Sequence, residues 1–173
     1  GPVSMLVAQI TSDGTLRGVA EWEGEVESGP LKEQFENGRL IITIDPGQGG
    51  DSYQGIVDLG DGGLAQALEG YFRQSERMET RLWLAANEEQ AAGFLLQSSA
   101  EEREQDEDED EDGWNRVVHL GSTITDQELL ELPSQDLLRR LFHEEQVRLF
   151  DLEPISFRCT CTRERIEEIL HEI

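Results

Sequence analysis

Two cysteines, Cys159 and Cys161, are the only thiols in the chain, and a single residue separates them. A C-x-C pair can present both sulfurs to one tetrahedral metal or close into a small, strained disulfide. Arg158, Arg163 and Arg165 surround the pair in a chain that is otherwise poor in positive charge. Thr162 is placed to cap a helix over residues 163–173, which would set both sulfurs near the positive end of its dipole. Cationic neighbours and a helix start both favour thiolate, the form that binds metal and reacts with oxidants. Two thiolates do not complete a structural zinc site, which takes four ligands. Of His119, His143 and His171, only His171 follows the cysteines, and its spacing fits no familiar zinc finger. The pair therefore reads as half of a Zn²⁺ site, with the remaining ligands expected beyond Ile173.

Other chemistry fails on its own requirements. No G-x-S-x-G elbow is present, and His143-Glu144-Glu145 lacks the second histidine of a zinc-protease helix. Gly47, Gly49 and Gly50 follow a strand pattern, but no Lys-Ser/Thr pair follows them to hold a phosphate. The run Asp58-Leu59-Gly60-Asp61-Gly62-Gly63 has its carboxylates misplaced for a Ca²⁺ loop. Trp22, Trp83 and Trp114 read as packing residues or partner contacts. With 14 basic and 38 acidic residues in 173, the formal charge is −24, which repels phosphate and argues against a nucleic-acid partner. No apolar run approaches the ~20 residues needed to span a bilayer, so an acidic, soluble, cytoplasmic protein with no membrane partner is expected.

The elements that must position these residues are legible in part. Residues 18–26 and 40–44 are β-rich, a turn follows at 45–50, and residues 53–59 supply another strand. Leu64, Ala65, Leu68, Tyr71 and Phe72 recur at helical spacing, predicting a helix over 64–78. Residues 81–86 and 91–96 predict a closing hairpin about a polar turn at 87–90. Residues 101–112 hold ten carboxylates in twelve positions and predict a disordered acidic spacer, with a calcium-binding tract as the rival reading. Thr125-Asp126-Gln127-Glu128 fits a capping box ahead of Leu129, Leu130 and Leu132, and Pro133 ends that segment. Ser134 is expected to cap the next helix, whose face carries Leu137, Leu138, Leu141 and Phe142. Both helices are too short to be stable alone and need a surface to lie on. Residues 147–157 read as extended, turning near Glu153-Pro154. The expected fold class is α+β, a mixed sheet-and-helix core followed by a mostly helical linker and the start of a small zinc module. The boundaries are a truncated core at 1–100, the acidic spacer at 101–113, the linker at 114–157 and the first half of the zinc module at 158–173. Gly1-Pro2-Val3 lacks an initiator methionine and the chain stops within an amphipathic pattern, so both ends are expected to be cut.

The chain resembles the redox-regulated heat-shock chaperones of 33 kDa, the 33 kDa chaperonin family. The resemblance rests on Tyr53-Gln54-Gly55-Ile56-Val57, Leu64-Ala65, Leu68-Glu69, Tyr71-Phe72, Ser75-Glu76 and Thr80-Arg81-Leu82. It continues through Ala91-Ala92-Gly93, Leu95-Leu96-Gln97, Glu128-Leu129-Leu130, Leu132-Pro133 and Arg140-Leu141-Phe142-His143-Glu144-Glu145. Its most specific stretch is Phe157-Arg158-Cys159-Thr160-Cys161-Thr162-Arg163-Glu164-Arg165. The resemblance implies a holdase rather than an enzyme. In that family a C-x-C and a later C-x-x-C hold one Zn²⁺ in the reduced, inactive state. Oxidation pairs neighbouring cysteines, releases zinc and unfolds the linker to expose a surface for unfolding client proteins. Carried over, Cys159 and Cys161 are two of the four zinc ligands and share one disulfide when oxidised. Leu129, Leu130, Leu137, Leu138, Leu141 and Phe142 are the candidate client-binding residues, within a bistable element expected over 114–157. The expected partners are unfolded client proteins, with a homodimer admitted for the oxidised form. The C-x-x-C pair and about the first quarter of the family's core are absent from this sequence, and the acidic tract is expanded. Two other functions compete: a constitutive acidic interaction module with a structural zinc half-site, and a thiol enzyme with His171 as its nearest acid/base partner.

Overall fold

A computed structural model describes residues 1–27, 29–36, 38–47, 50–60, 62–98 and 110–158. The chain divides into two compact units, Gly1–Glu27 with Phe150–Ile173, and Ser28–Leu149. This partition differs from the boundaries expected from the sequence. Residues 1–27 group with the chain's C-terminal part, and the leucine-bearing helices belong to the same unit as residues 28–98. Long-range strand pairing draws the first grouping and helix-on-sheet packing the second.

In the first unit, β1 (Val3–Ile10) and β2 (Thr15–Trp22) form an antiparallel hairpin with Val7 opposite Val19 and Ile10 opposite Leu16. Gly14 closes the turn at φ 74°, and its N–H donates to the Thr11 carbonyl at 3.0 Å. A side chain there would be strained and would also press on the Pro154 carbonyl, 2.8 Å from an added Cβ. The Asp13 carboxylate accepts from the Thr11 and Thr15 hydroxyls, which holds its pKa below the ordinary value. A short strand, β7 (Ser156–Phe157), lies parallel to Thr15–Leu16. The expected strand at 18–26 is thus found at 15–22, and it has a partner the sequence reading did not include. Met5, Leu6 and Val7 are apolar in succession, so β1 lacks the period-two alternation that marks a half-buried strand.

The second unit begins with a short helix, α1 (Leu31–Gln34), and the hairpin β3 (Arg39–Ile44) and β4 (Tyr53–Asp58). Next comes α2 (Leu64–Tyr71), continued by a π-helical turn at Phe72–Glu76. Tyr71 is its anchor, 2% exposed, with its hydroxyl donating to Glu76 Oε1 at 3.1 Å. Burial first, and the Glu76 carboxylate second, raise the Tyr71 pKa. Gly55 of β4 lies against the Tyr71 ring, where an added Cβ would collide with it.

Strands β5 (Thr80–Ala86) and β6 (Ala91–Gln97) form the expected hairpin with continuous register. Three helices follow: α3 (Asp110–Gly121), α4 (Asp126–Glu131) and α5 (Ser134–Phe142). Residues 110–113, expected in the acidic spacer, belong to α3. The rest of that spacer, residues 101–109, lies outside the described residues. Ser134 does not cap α5. Pro133 occupies the cap, its carbonyl accepting from the Asp136 and Leu137 N–H groups at 2.9 and 3.0 Å. Among the described residues the architecture is α+β, and no helix is long and apolar enough to cross a membrane.

Candidate functional site

The β5–β6 hairpin is a platform. Trp83 and Ala85 on β5, with Ala92, Phe94 and Leu96 on β6, alternate toward one face. Trp83 and Phe94 stack at 5.5 Å between ring centroids. Onto this face α4 and α5 lay their leucines, as the helical spacing requires. Leu129, Leu137, Leu141 and Phe142 are buried with Ala85 in one cluster, and Leu130 and Leu138 pack against it half-buried. Phe142 reaches Phe94 at 6.1 Å between centroids. All six candidate client-binding residues therefore meet in one apolar core, and this docked arrangement covers most of them. Leu138 and Phe142 also border a groove of about 250 Å³ beside Arg139 and Val147.

Polar contacts fasten the helices. At the start of α4 the capping box forms as expected. The Glu128 N–H donates to Thr125 Oγ1 at 3.2 Å, and the Thr125 N–H donates to Glu128 Oε2 at 3.0 Å. Arg140 of α5 pairs with the same Glu128 carboxylate and donates to the Thr123 carbonyl at 3.2 Å, tying α5 to the loop before α4. Arg116 of α3 grips Glu145 through two nitrogens at 2.6 and 3.1 Å. Gln90 in the hairpin turn donates to the Leu130 carbonyl at 3.0 Å. The Thr125 N–H foremost, with Arg140, holds the Glu128 pKa down, and the Arg116 guanidinium does the same for Glu145. Phe94 and both arginine clasps were missing from the sequence reading, in which Trp83 figured as a packing residue or partner contact. The platform left a signal in the period-two alternation of residues 83–85 and 92–96. The clasps left none, being pairs 17 and 29 residues apart.

Cys159, Cys161, Thr162, Arg163, Arg165 and His171 lie outside the described residues, which end at Arg158. The backbone leading to them is anchored, because the Ser156 N–H donates to the Gly14 carbonyl and the Arg158 N–H to the Leu16 carbonyl, both at 3.0 Å. His119 and His143 are exposed. Among the described residues, no group of three or more His, Cys, Asp or Glu side chains is placed to hold a metal ion.

An α+β chain with leucine-faced helices docked on a small sheet, leading into a C-x-C segment, defines a protein with a sheathed apolar surface near a thiol pair in sequence. The family model described as Hsp33 protein matches residues 1–173, so the chain belongs to the Hsp33 family. It is 51% identical over 170 residues to a 33 kDa chaperonin of Nitrosococcus oceani, covering 98% of this chain and 57% of that protein. A 33 kDa chaperonin of Methylobacillus flagellatus is 42% identical over 170 residues, with the same coverages of 98% and 57%. The chain thus spans little more than half the length of these relatives. The crystal structure of the Thermotoga maritima 33 kDa chaperonin superposes with a TM-score of 0.74 at 24% identity, covering 100% of this chain and 61% of that one. That likeness supports the fold.

Proposed function

We propose that this chain is part of a redox-regulated holdase of the cytoplasm, which binds unfolding proteins and keeps them from aggregating without turning over a substrate. The observation that carries the reading is the docked leucine cluster. Helices of six and nine residues fall below the ~12–15 at which a helix sustains itself in water, so α4 and α5 are ordered by the platform. Their undocking would bare Leu129, Leu137, Leu141 and Phe142 together with Trp83 and Phe94, a continuous apolar surface suited to a partly unfolded chain. The charge of −24 would keep that state soluble.

Cys159 and Cys161 would be the switch. Their soft thiolate donors suit Zn²⁺ and supply two of the four ligands a closed site needs, the others coming from outside this sequence. Bound zinc would contribute folding free energy, on the order of 10 kcal/mol in small modules. Hydrogen peroxide would take two electrons from the two thiolates, the S–S bond forming as the O–O bond breaks and the two oxygens leaving as two waters after taking up two protons from solvent. The thiolate donors are then gone, and the segment 114–157 loses that support. Membership of the Hsp33 family and the relatives' designation as 33 kDa chaperonins support this reading over a constitutive interaction module. Peroxide treatment, thiol counting and an aggregation assay on an unfolding client test it. Oxidation should raise holding activity as two thiols disappear, and replacing both Cys159 and Cys161 with serine in the full-length protein should abolish the response. An unaltered response in that variant refutes it.

A further inference from the structure

Sheet edges are templates for pairing with other chains, and proteins blunt them with charge, proline, bulges or shortness. Five edges among the described strands carry such a guard. β1 has a register shift between Val3 and Met5, β3 begins with Arg39, β4 ends with Asp58, and β7 is two residues long. β5 contains Arg81, and the Glu69 carboxylate covers its outward Leu82 N–H at 2.8 Å. β6 has none of these. Ala91–Gln97 reads AAGFLLQ, seven residues without charge, proline or bulge, in a chain that is 30% charged.

The register fixes which groups this edge offers. The Ser98 N–H donates to the Glu79 carbonyl and the Asn87 N–H to the Gln90 carbonyl, so residues 92, 94 and 96 bond back to β5. Ala91, Gly93, Leu95 and Gln97 therefore turn their N–H and C=O groups away from the sheet, and all four are exposed. Among the described residues no strand pairs with this edge. Gly93 sits in its centre, the residue that lets a second backbone come close. A row of alternating donors and acceptors is matched by an extended backbone.

We infer that the β6 edge binds an extended, uncharged or basic segment of an unfolding protein by strand addition. The inference rests on the holdase reading and names the form in which a client is first held. Backbone hydrogen bonds supply affinity with little regard to sequence, as a holdase of many clients requires, and the charge of −24 selects against acidic segments.

The test uses a fluorescent heptapeptide, KVTVTVK, titrated against the protein by anisotropy, with client aggregation measured in parallel. N-methylation of alternate peptide residues in one register should weaken binding at least tenfold. Methylation in the other register should leave it within threefold. Leu95→Lys, at a side chain already 44% exposed, should weaken the parent peptide tenfold with the melting temperature unchanged. The N-methyl series on the unmutated protein decides the matter even if that variant folds poorly. Equal binding of both N-methyl series overturns the inference. So does a dimer that Leu95→Lys converts to monomer, because the edge would then belong to a second copy. Client protection that persists while the peptide results fail leaves the holdase reading standing and removes only this site. Loss of client protection with strand addition intact does the reverse.

Discussion

Leu141→Ala tests whether the docked helices are the restraint on activity. Leu141 is 2% exposed, enclosed by Ala85, Leu129, Leu137 and Phe142. Truncating such a leucine costs about 2–5 kcal/mol, the transfer term plus the cavity left behind. If α4 and α5 open as a local unit, that loss comes from their opening free energy. At 1.4 kcal/mol per factor of ten, amide exchange across residues 126–142 should accelerate by about 30-fold to about 4,000-fold. The β3–β4 hairpin is the internal reference and should keep its protection. Leu132→Ala is the control, since Leu132 follows the last residue of α4 at 37% exposure and should change stability by no more than about 0.5 kcal/mol. Hydrogen exchange read by mass spectrometry, paired with suppression of client aggregation in the reduced protein, measures both sides. Leu141→Ala should gain holding activity without oxidant, while Leu132→Ala stays at the reduced level. Protection of 126–142 within threefold of the parent would refute the cluster as the restraint. Protection lost without any gain in holding would refute the link between exposure and function.

Acid should loosen the same helices. Glu128 and Glu145 have pKa values below the ordinary 4.5, so their stabilisation is fully present above that pH and is lost as pH falls through the lowered values. Exchange protection of 126–142, corrected for intrinsic rates, should hold from pH 7 to about 5 and decline below 4.5, and Glu128→Gln should flatten the decline; an unchanged slope in that variant would place the acid sensitivity elsewhere. Gly55→Ala should lower the urea midpoint by the equivalent of about 1–3 kcal/mol, because the added methyl meets the buried Tyr71 ring. An unchanged midpoint would mean the ring moves aside freely.

What the sequence made legible was local. The β5–β6 hairpin, the Thr125–Glu128 capping box and the leucine faces of α4 and α5 all follow from period-two alternation, period-3.6 spacing and cap chemistry within a few residues. What stayed hidden depends on partners far along the chain. β7 meets β2 across some 140 residues, and a strand of two residues is too short to carry an alternation that would announce it; β1, apolar on both faces, carries none either. Ser134 read as a cap because its type favours one, yet Pro133 bends the chain one residue earlier and supplies the carbonyl. The residues of the candidate site were legible as two faces of two helices. The surface they share, and the arginines that fasten it, depend on tertiary placement.

That placement sets what holds the helices on the sheet. The ion pairs that fasten α4 and α5 involve partly exposed side chains, which are worth about 0–1 kcal/mol each. The helices contribute little order of their own, and among the described residues their platform is a two-stranded sheet. Docking therefore rests on a few apolar side chains, chiefly Leu129, Leu137, Leu141 and Phe142 against Ala85, Trp83 and Phe94. Beyond α5 the chain runs without regular structure to β7, with Val147, Leu149, Phe150, Leu152 and Ile155 exposed along it. On the reading proposed above, the docked state would be favoured by no more than the several kcal/mol that a bound metal can supply, so that withdrawing the metal would free the helices.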